Sequence, residues 1–266
     1  MVRRSNRKYH DRVAGRYDDV YRGEYWQWYR EISWRHARKF LPEPRPARAA
    51  DLGCGTGWFG VRLLRAGLAT VFADPSGNML GRAQESVEAE SAARPEATFV
   101  QAGLESMPEI ADASLDFATA QGDPLSFCED PKRALRELHR CVRPGGGVVL
   151  SVDSRVAGVR AVLGDGQLDQ GLGLLRTGRT QWRGERAEER FPMKMFLPDE
   201  LDDLLRQTGF EPLSRIAKTC LVQRRDEAWL EDRAQRRRLL EAEERVHGRP
   251  EWFALAGHFQ VAARRG

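Results

Sequence analysis

An acid and three alternating glycines stand together in Asp51-Leu-Gly-Cys-Gly-Thr-Gly57, with Gly53, Gly55 and Gly57 following Asp51. Glycine tolerates left-handed backbone and lets a ligand approach the main chain. An apolar run leads in and a helix-competent run leads out. The turn therefore joins a strand to a helix N-terminus, with free N–H groups and positive potential. Such a site suits a nucleotide-like ligand at the carboxyl end of a strand. The register is not that of a dinucleotide site, because Trp58 stands where the third glycine of GxGxxG belongs, and no GK[ST] phosphate loop is present. A carboxylate at Asp51 would repel a pyrophosphate and attract an ammonium group. The turn thus favours an amino-acid-bearing nucleoside over NAD. Asp74 closes the next apolar run, where a carboxylate can accept hydrogen bonds from both ribose hydroxyls in either ligand class. An N-cap role for Asp74 is equally consistent with its position.

These residues must be held by alternating elements. The chain has 266 residues, 41% hydrophobic, enough for one substantial core. A helical, aromatic-rich region runs from about Tyr9 to Phe40 and is broken by "LPEPRP" at 41–46, since proline cannot continue a helix. Strands are expected at "ARAADL", "ATVFAD", "ATFVQA", "LDFATA" and "GGVVLSVD". Helices are expected at "GWFGVRLLRAG", at "SGNMLGRAQESVEAE" with Ser76 as N-cap, and at "DPKRALRELHRCV", stopped by "RPGGG". This alternation means βαβ units in a mainly parallel α/β sheet. From about Ser154 to Met195 the periodicity fails, and an irregular lid or binding loop is expected. A helix at "LPDELDDLLRQTGF", a strand at "EPLSRIAKTCLV", a charged helix at "DEAWLEDRAQRRRLLEAEERV" and a strand at "GHFQVAARR" complete the chain.

Composition excludes some classes. The formal net charge of +4 comes mostly from scattered arginines, so nucleic-acid binding is disfavoured, and "RRR" at 236–238 reads as a solvated helix face. Cys54, Cys128, Cys141 and Cys220 form no CxxC pair and have no histidine at zinc spacing, so no metal site is expected and the thiols read as reduced. The basic N-terminus precedes no apolar segment, and no run approaches membrane-spanning length, which points to a cytoplasmic protein.

The ordered blocks "AADLGCGTG" (49–57), "VFADPSGNMLGRA" (71–83), "FVQAGLESMP" (99–108), "SLDFATAQGDPL" (114–125) and "ALRELHRCVRPGGGVVLSV" (134–152) resemble the class I S-adenosylmethionine (SAM) dependent methyltransferases, particularly the small-molecule branch that includes ubiquinone/menaquinone methyltransferases. The resemblance implies a Rossmann-like sheet of seven strands, the last antiparallel. It implies SAM as cofactor and S-adenosylhomocysteine (SAH) as product. By that likeness Gly53, Cys54, Gly55 and Gly57 line the methionine part of SAM, and Asp51 serves its ammonium directly or through water. Asp74 takes the ribose, Pro75 and Met79 flank the adenine, and Gln121 lies close to the sulfonium and the acceptor. Tyr17, in "GRYDDVY", either covers the cofactor or packs as an ordinary helix aromatic. One position departs from the pattern. Where the family usually has an acid that accepts from the adenine amino group, this chain has Gly103, which leaves backbone contacts around Leu104 to read the base. A lost hydrogen bond to a charged group is worth about 1.5–3 kcal/mol, unless another residue compensates.

Methyl transfer from a sulfonium is an in-line displacement in which the protein supplies alignment and excludes water. A hydroxyl acceptor would need a base, for which His10, Tyr25 and Asp123 are the candidates. The [DN]PP[YF] motif of enzymes that methylate base amino groups is missing after the fourth strand, where Gln121 and "DPLSF" stand instead. The expected enzyme is one domain: a helical cap (1–45), a SAM-binding core (46–153), a lid (154–195) and a C-terminal part of the sheet with a helical insertion (196–266). It transfers methyl to O, N or C of a small organic molecule. The rival readings are an RNA methyltransferase, a non-catalytic SAM-binding regulator or partner subunit, and an NAD-dependent oxidoreductase, the last disfavoured by the glycine register.

Overall fold

The computed structural model describes residues 4–43, 46–90, 96–183 and 190–266. Five strands and three helices alternate through the first part of the sheet. They are β1 (Ala47–Leu52), α4 (Trp58–Arg65), β2 (Leu68–Ala73), α5 (Gly77–Glu88), β3 (Ala97–Val100), β4 (Leu115–Ala120), α6 (Pro131–Cys141) and β5 (Val142–Asp153). Ahead of them lie α1 (Arg4–Val13), α2 (Tyr17–Val20) and α3 (Glu24–Ala37). After them come α7 (Arg155–Gly164), α8 (Leu168–Thr177), β6 (Arg179–Arg183) and β7 (Arg190–Lys194). The chain ends with α9 (Pro198–Gln207), β8 (Phe210–Lys218), α10 (Arg233–Val246) and β9 (His258–Arg265).

The seven-stranded sheet has the order β3-β2-β1-β4-β5-β9-β8. β1 pairs in parallel with β2 and β4, and β9 pairs antiparallel with both β5 and β8. The strand order reverses between β1 and β4, which opens a crevice at their carboxyl ends, where α/β sheets bind ligands. Local signals fix the ends of several helices. Ser76 accepts from the Met79 N–H at the start of α5, and Asp130 accepts from the Arg133 N–H ahead of Pro131, which suits the first turn of α6. α6 buries Ala134, Leu135 and Leu138 on one face, in the largest apolar cluster, with β4, β5 and α9. On the other face α4 seats its Gly60 on Phe72 of β2. A Cβ at Gly60 would come within 2.0 Å of that ring, so α4 approaches the strand only because no side chain intervenes.

The structure departs from the sequence reading in several places. The N-terminal region is three short helices, with a 3-10 turn at Ala14–Arg16, and not one continuous helix. "RPGGG" ends α6 but already belongs to β5, whose pairing with β4 shifts register between Leu115 and Phe117. The charged C-terminal helix is divided into a 3-10 turn at Arg224–Leu230 and α10, capped by Asp232. The largest correction concerns the expected irregular lid. Outside 184–189, which are not among the described residues, residues 155–194 form two helices and an antiparallel hairpin of β6 and β7. Two of the glycines that spoil the periodicity are packing positions. A Cβ at Gly158 would meet Met195 Sδ at 2.1 Å, and one at Gly171 would meet Leu163 at 2.5 Å. Part of the proline break at 41–46 also lies outside the described residues.

Candidate functional site

The turn after β1 is pinned to β2: the Gly53 and Cys54 N–H groups both donate to Ala73 O, at 2.7 and 3.0 Å. Asp74 completes the cradle. One carboxylate oxygen accepts from the Gly55 N–H at 3.0 Å, the other from the Ser76 N–H at 2.8 Å. Gly55 has φ +52°, and the nearest atom to a Cβ built there, outside its chain neighbours and among the described residues, is Tyr17 Cε1, at 3.9 Å. The backbone is thus bare on the side that faces the tyrosine. A cavity of about 620 Å³, mouth included, opens here. Its walls include Tyr17, Gly53, Gly55, Asp74, Pro75 and Gln121, together with Gly103 and Leu104. His10 also lines it, and burial outweighs the nearby Asp74 charge to hold its imidazole below the usual range.

Four of the residues singled out in the sequence line neither this cavity nor the larger one beside it. Asp51 is buried beneath the turn and accepts from the Gly60 N–H at 2.7 Å, tying β1 to the first turn of α4. Burial pushes its carboxyl up to about 7, against that hydrogen bond. Gly57 caps α4 at φ +87°, where a Cβ would meet Ala83 of α5 at 3.1 Å, so it serves helix packing. Met79 is fully buried against Val13 and Ala14. Tyr25 lies on α3, its hydroxyl 3.0 Å from Thr219 Oγ1, away from both cavities described here. Cys54 lines the second cavity. One acid on the first cavity wall was missed in the sequence. Glu105, two residues past Gly103, is buried, and one of its oxygens accepts from the Asp130 N–H.

The second cavity, about 1410 Å³ with its mouth, adjoins the first and shares His10, Tyr17, Gly53, Gly55, Gln121 and Phe127 with it. One wall is aromatic. Trp182 of β6 stacks on Phe191 of β7 at 6.1 Å between centroids, and Phe191 meets Phe127 at 5.6 Å and Tyr9 at 6.0 Å. The hairpin thus packs onto α1 and the 3-10 turn after β4, enclosing space between them.

The opposite wall carries charge. His258 Nδ1, at the start of β9, lies 2.7 Å from Asp123 Oδ2 and 3.6 Å from Asp153 Oδ1. Tyr29 donates its hydroxyl to Asp123 Oδ2 at 3.2 Å, and Lys218 Nζ sits 3.6 Å from the centre of the Tyr29 ring. Asp123 has φ +67° and Thr219, next to Lys218, has φ +60°. Non-glycine residues seldom adopt this conformation, and it concentrates at functional sites. Asp123 Oδ1, Asp153 Oδ2, Lys218 Nζ and Gln121 Oε1 are buried without a hydrogen-bond partner. Burial would raise Asp123, but the His258 charge and contact hold it down to about 2. Burial, then the Asp123 charge, push Asp153 up to about 7. Burial brings Lys218 down to about 8 against both acids. Burial would lower His258, but Asp123 and then Asp153 raise it. Of this cluster only Asp123 was named from the sequence. His258, Lys218 and Asp153 each sit at a strand end in unrelated stretches and carried no local signal. The same holds for Tyr29 within its aromatic helix.

The residues present fit SAM by their chemistry. A bare glycine backbone, a carboxylate closing β2 and an orphaned amide oxygen at Gln121 surround one cavity, and two carboxylates beside the glycine turn disfavour a pyrophosphate. Among the described residues no helix is long and apolar enough to cross a membrane. Residues 49–146 match the family model of a methyltransferase domain. The chain is 37% identical over 111 residues to a malonyl-[acyl-carrier protein] O-methyltransferase from Pseudescherichia vulneris, covering 42% of this chain and 41% of that one. It is 29% identical over 177 residues to a ubiquinone biosynthesis O-methyltransferase from Ruegeria pomeroyi, covering 63% and 61%. The matches to the malonyl-[acyl-carrier protein] enzymes thus span less than half of those proteins. Over nearly the whole chain the fold is that of a SAM-dependent methyltransferase from Thermotoga maritima, with TM-score 0.62, 17% identity and 96% and 97% coverage. The glycine turn, the strand order and the domain matched at 49–146 are those of the class I SAM-dependent methyltransferases.

Proposed function

We propose that this protein transfers a methyl group from SAM to a small organic acceptor held in the aromatic cavity. The observation that carries the reading is the meeting of two cavities at Tyr17, Gly53, Gly55 and Gln121. SAM supplies an activated methyl carbon on a sulfonium. The chain's own residues bind, align and keep water out. In this reading Gly53, Cys54 and Gly55 face the methionine part, and Asp51 acts on its ammonium from beneath the turn. Asp74 holds the ribose hydroxyls. Pro75 and the Gly103–Leu104 backbone flank the adenine, with Glu105 as the acid nearest in sequence to the family's usual position. Gln121 and Tyr17 stand between cofactor and acceptor. Met79 and Gly57 support this wall from behind.

The aromatic hairpin and α1 enclose the acceptor, which favours a small molecule over a nucleic acid. Arg236 of the "RRR" run is engaged by Glu24, and its two neighbours are exposed on α10. The test is calorimetric titration with SAM, SAH and NAD in parallel. Micromolar binding of both adenosyl compounds with NAD silent is the expected result. Silence toward both would overturn the transferase reading and favour a scaffold or partner subunit. Labelled SAM with acceptor panels then reports transfer.

A further inference from the structure

We propose that the acceptor presents an ionisable hydroxyl on a planar ring and that His258 Nε2 takes its proton, with Asp123 and Asp153 as positioning residues. This rests on the methyl-transfer reading and adds the acceptor class and the base. The argument begins with the two ring nitrogens of His258. Nδ1 is buried and held between Asp123 and Asp153. Nε2 makes no hydrogen bond among the described residues, and the side chain keeps 22% of its surface at the cavity wall. The Asp123 carboxylate 2.7 Å away favours the proton on Nδ1 by charge, though the contact falls outside hydrogen-bond geometry, and this leaves the Nε2 lone pair free to accept a proton.

The surroundings fit an oxygen nucleophile better than an amine or a metal ion. Asp123 and Asp153 face His258 from the segment after β4 and the end of β5, Lys218 from β8, and Tyr29 from α3 with its ring centroid 5.2 Å away. With His258 neutral, Lys218 offsets one of the two acids, and burial and the Asp123 charge push the other, Asp153, toward its neutral form, which leaves little net charge to draw in an ammonium or a divalent cation. A developing phenolate instead meets the imidazolium formed at His258, with the Lys218 ammonium buried behind the Tyr29 ring. The aromatic wall of Trp182, Phe191, Phe127 and Trp26 offers flat contact, and the Trp26 and Trp182 indole N–H groups are buried without a partner. The same three residues, Asp123, Asp153 and His258, bring ligand atoms within 4.8 Å of one another. A metal ion is therefore the rival occupant, and Lys218 argues against it.

The step balances simply. The acceptor O–H bond breaks and its proton goes to Nε2, forming the imidazolium. An oxygen lone pair forms the new O–CH₃ bond as the S–CH₃ bond breaks, and that electron pair stays on sulfur. The imidazolium later releases its proton to solvent.

The probe is 4-nitrocatechol, whose spectrum separates phenol from phenolate. It is titrated into the protein–SAH complex at a pH below its own ionisation. The expected result is bound phenolate in the wild type and at least tenfold less in His258→Gln and His258→Asn, with SAH affinity within twofold of wild type. Asp123→Asn should move the ionisation profile of the bound probe to a different pH, a readout that simple loosening of the site would not move. Failure of SAH to bind overturns the transferase reading along with this one. SAH binding with a neutral or unbound probe, or equal ionisation in the His258 variants, overturns only the hydroxyl and base assignment. Stoichiometric Mg²⁺ or Mn²⁺ binding that Asp153→Asn abolishes overturns it in favour of a metal-held acceptor.

Discussion

The two walls we assign to cofactor and acceptor are built by different rules. The first is made from short consecutive runs: β1 and its glycine turn, then β2 and Asp74. Its working parts are backbone atoms and one carboxylate whose oxygens are both used by nearby N–H groups. The second gathers Tyr29, Asp123, Asp153, Lys218 and His258 from five separate elements, and it leaves buried polar atoms without partners. A wall that recognises an invariant cofactor can be specified locally. A wall proposed to ionise and align a particular acceptor needs charges brought together at depth, where their mutual effects are strong.

The largest test of this division is Gly55→Val. The side chain would enter the space between the turn and Tyr17, at a φ of +52° that valine tolerates poorly. SAM affinity should fall more than a hundredfold by calorimetry, while circular dichroism stays that of the wild type. Intact SAM binding would show that the cofactor lies elsewhere. Asp74→Ala comes next. It removes hydrogen bonds to a charged acceptor, and SAM binding should weaken about tenfold or more. Wild-type affinity in that variant would refute the ribose assignment.

On the acceptor wall, Trp182→Ala strips one stacked ring from the hairpin. The acceptor KM should rise about fivefold to tenfold, as the loss of an aromatic contact worth about 1–1.5 kcal/mol implies. SAM affinity should change by less than twofold. Equal losses for both ligands would mean that the two walls are not separable.

The smallest effect is on stability and pH. Asp51 has a raised carboxyl, titrating near 7 in the fold against an ordinary 3.8. Below about pH 4 the group is neutral in both folded and unfolded chains, so it adds no pH dependence. Between about 4 and 7 the unfolded chain ionises first, so ligand-free stability falls as pH rises through that window. Asp51→Asn keeps an oxygen for the Gly60 N–H and removes this fall. Thermal melts should show the variant gaining on the wild type as pH rises from 4 to 8. Asp153, shifted in the same direction, leaves part of the slope in place. Parallel pH curves for the two proteins would rule out a buried, titrating Asp51.

Much of the sheet was legible from local chemistry. "DLGCGTG" announced a strand, a turn and a helix, and Ser76 and Asp130–Pro131 marked two helix starts in their own side chains. The hairpin region was misread because Gly158 and Gly171 look like loop residues until the side chains that fill their empty space, Met195 and Leu163, are seen. Met79 was assigned to the adenine from a block match, but α1 and the turn after it cover it, and nothing in its own neighbourhood announces that cover.

The sequence by itself determined the alternation of β and α, the nucleoside-type turn and the carboxylate that closes β2, because each depends on backbone geometry within a few residues. Only the tertiary structure decided the acceptor wall. His258 and Asp123 are 2.7 Å apart although a large part of the chain separates them. Their pairing exists because antiparallel β9 enters the sheet beside β5 and sets its first residue next to the carboxyl ends of β4 and β5. Strand order is a property of how the whole core packs, and no short stretch of residues encodes it.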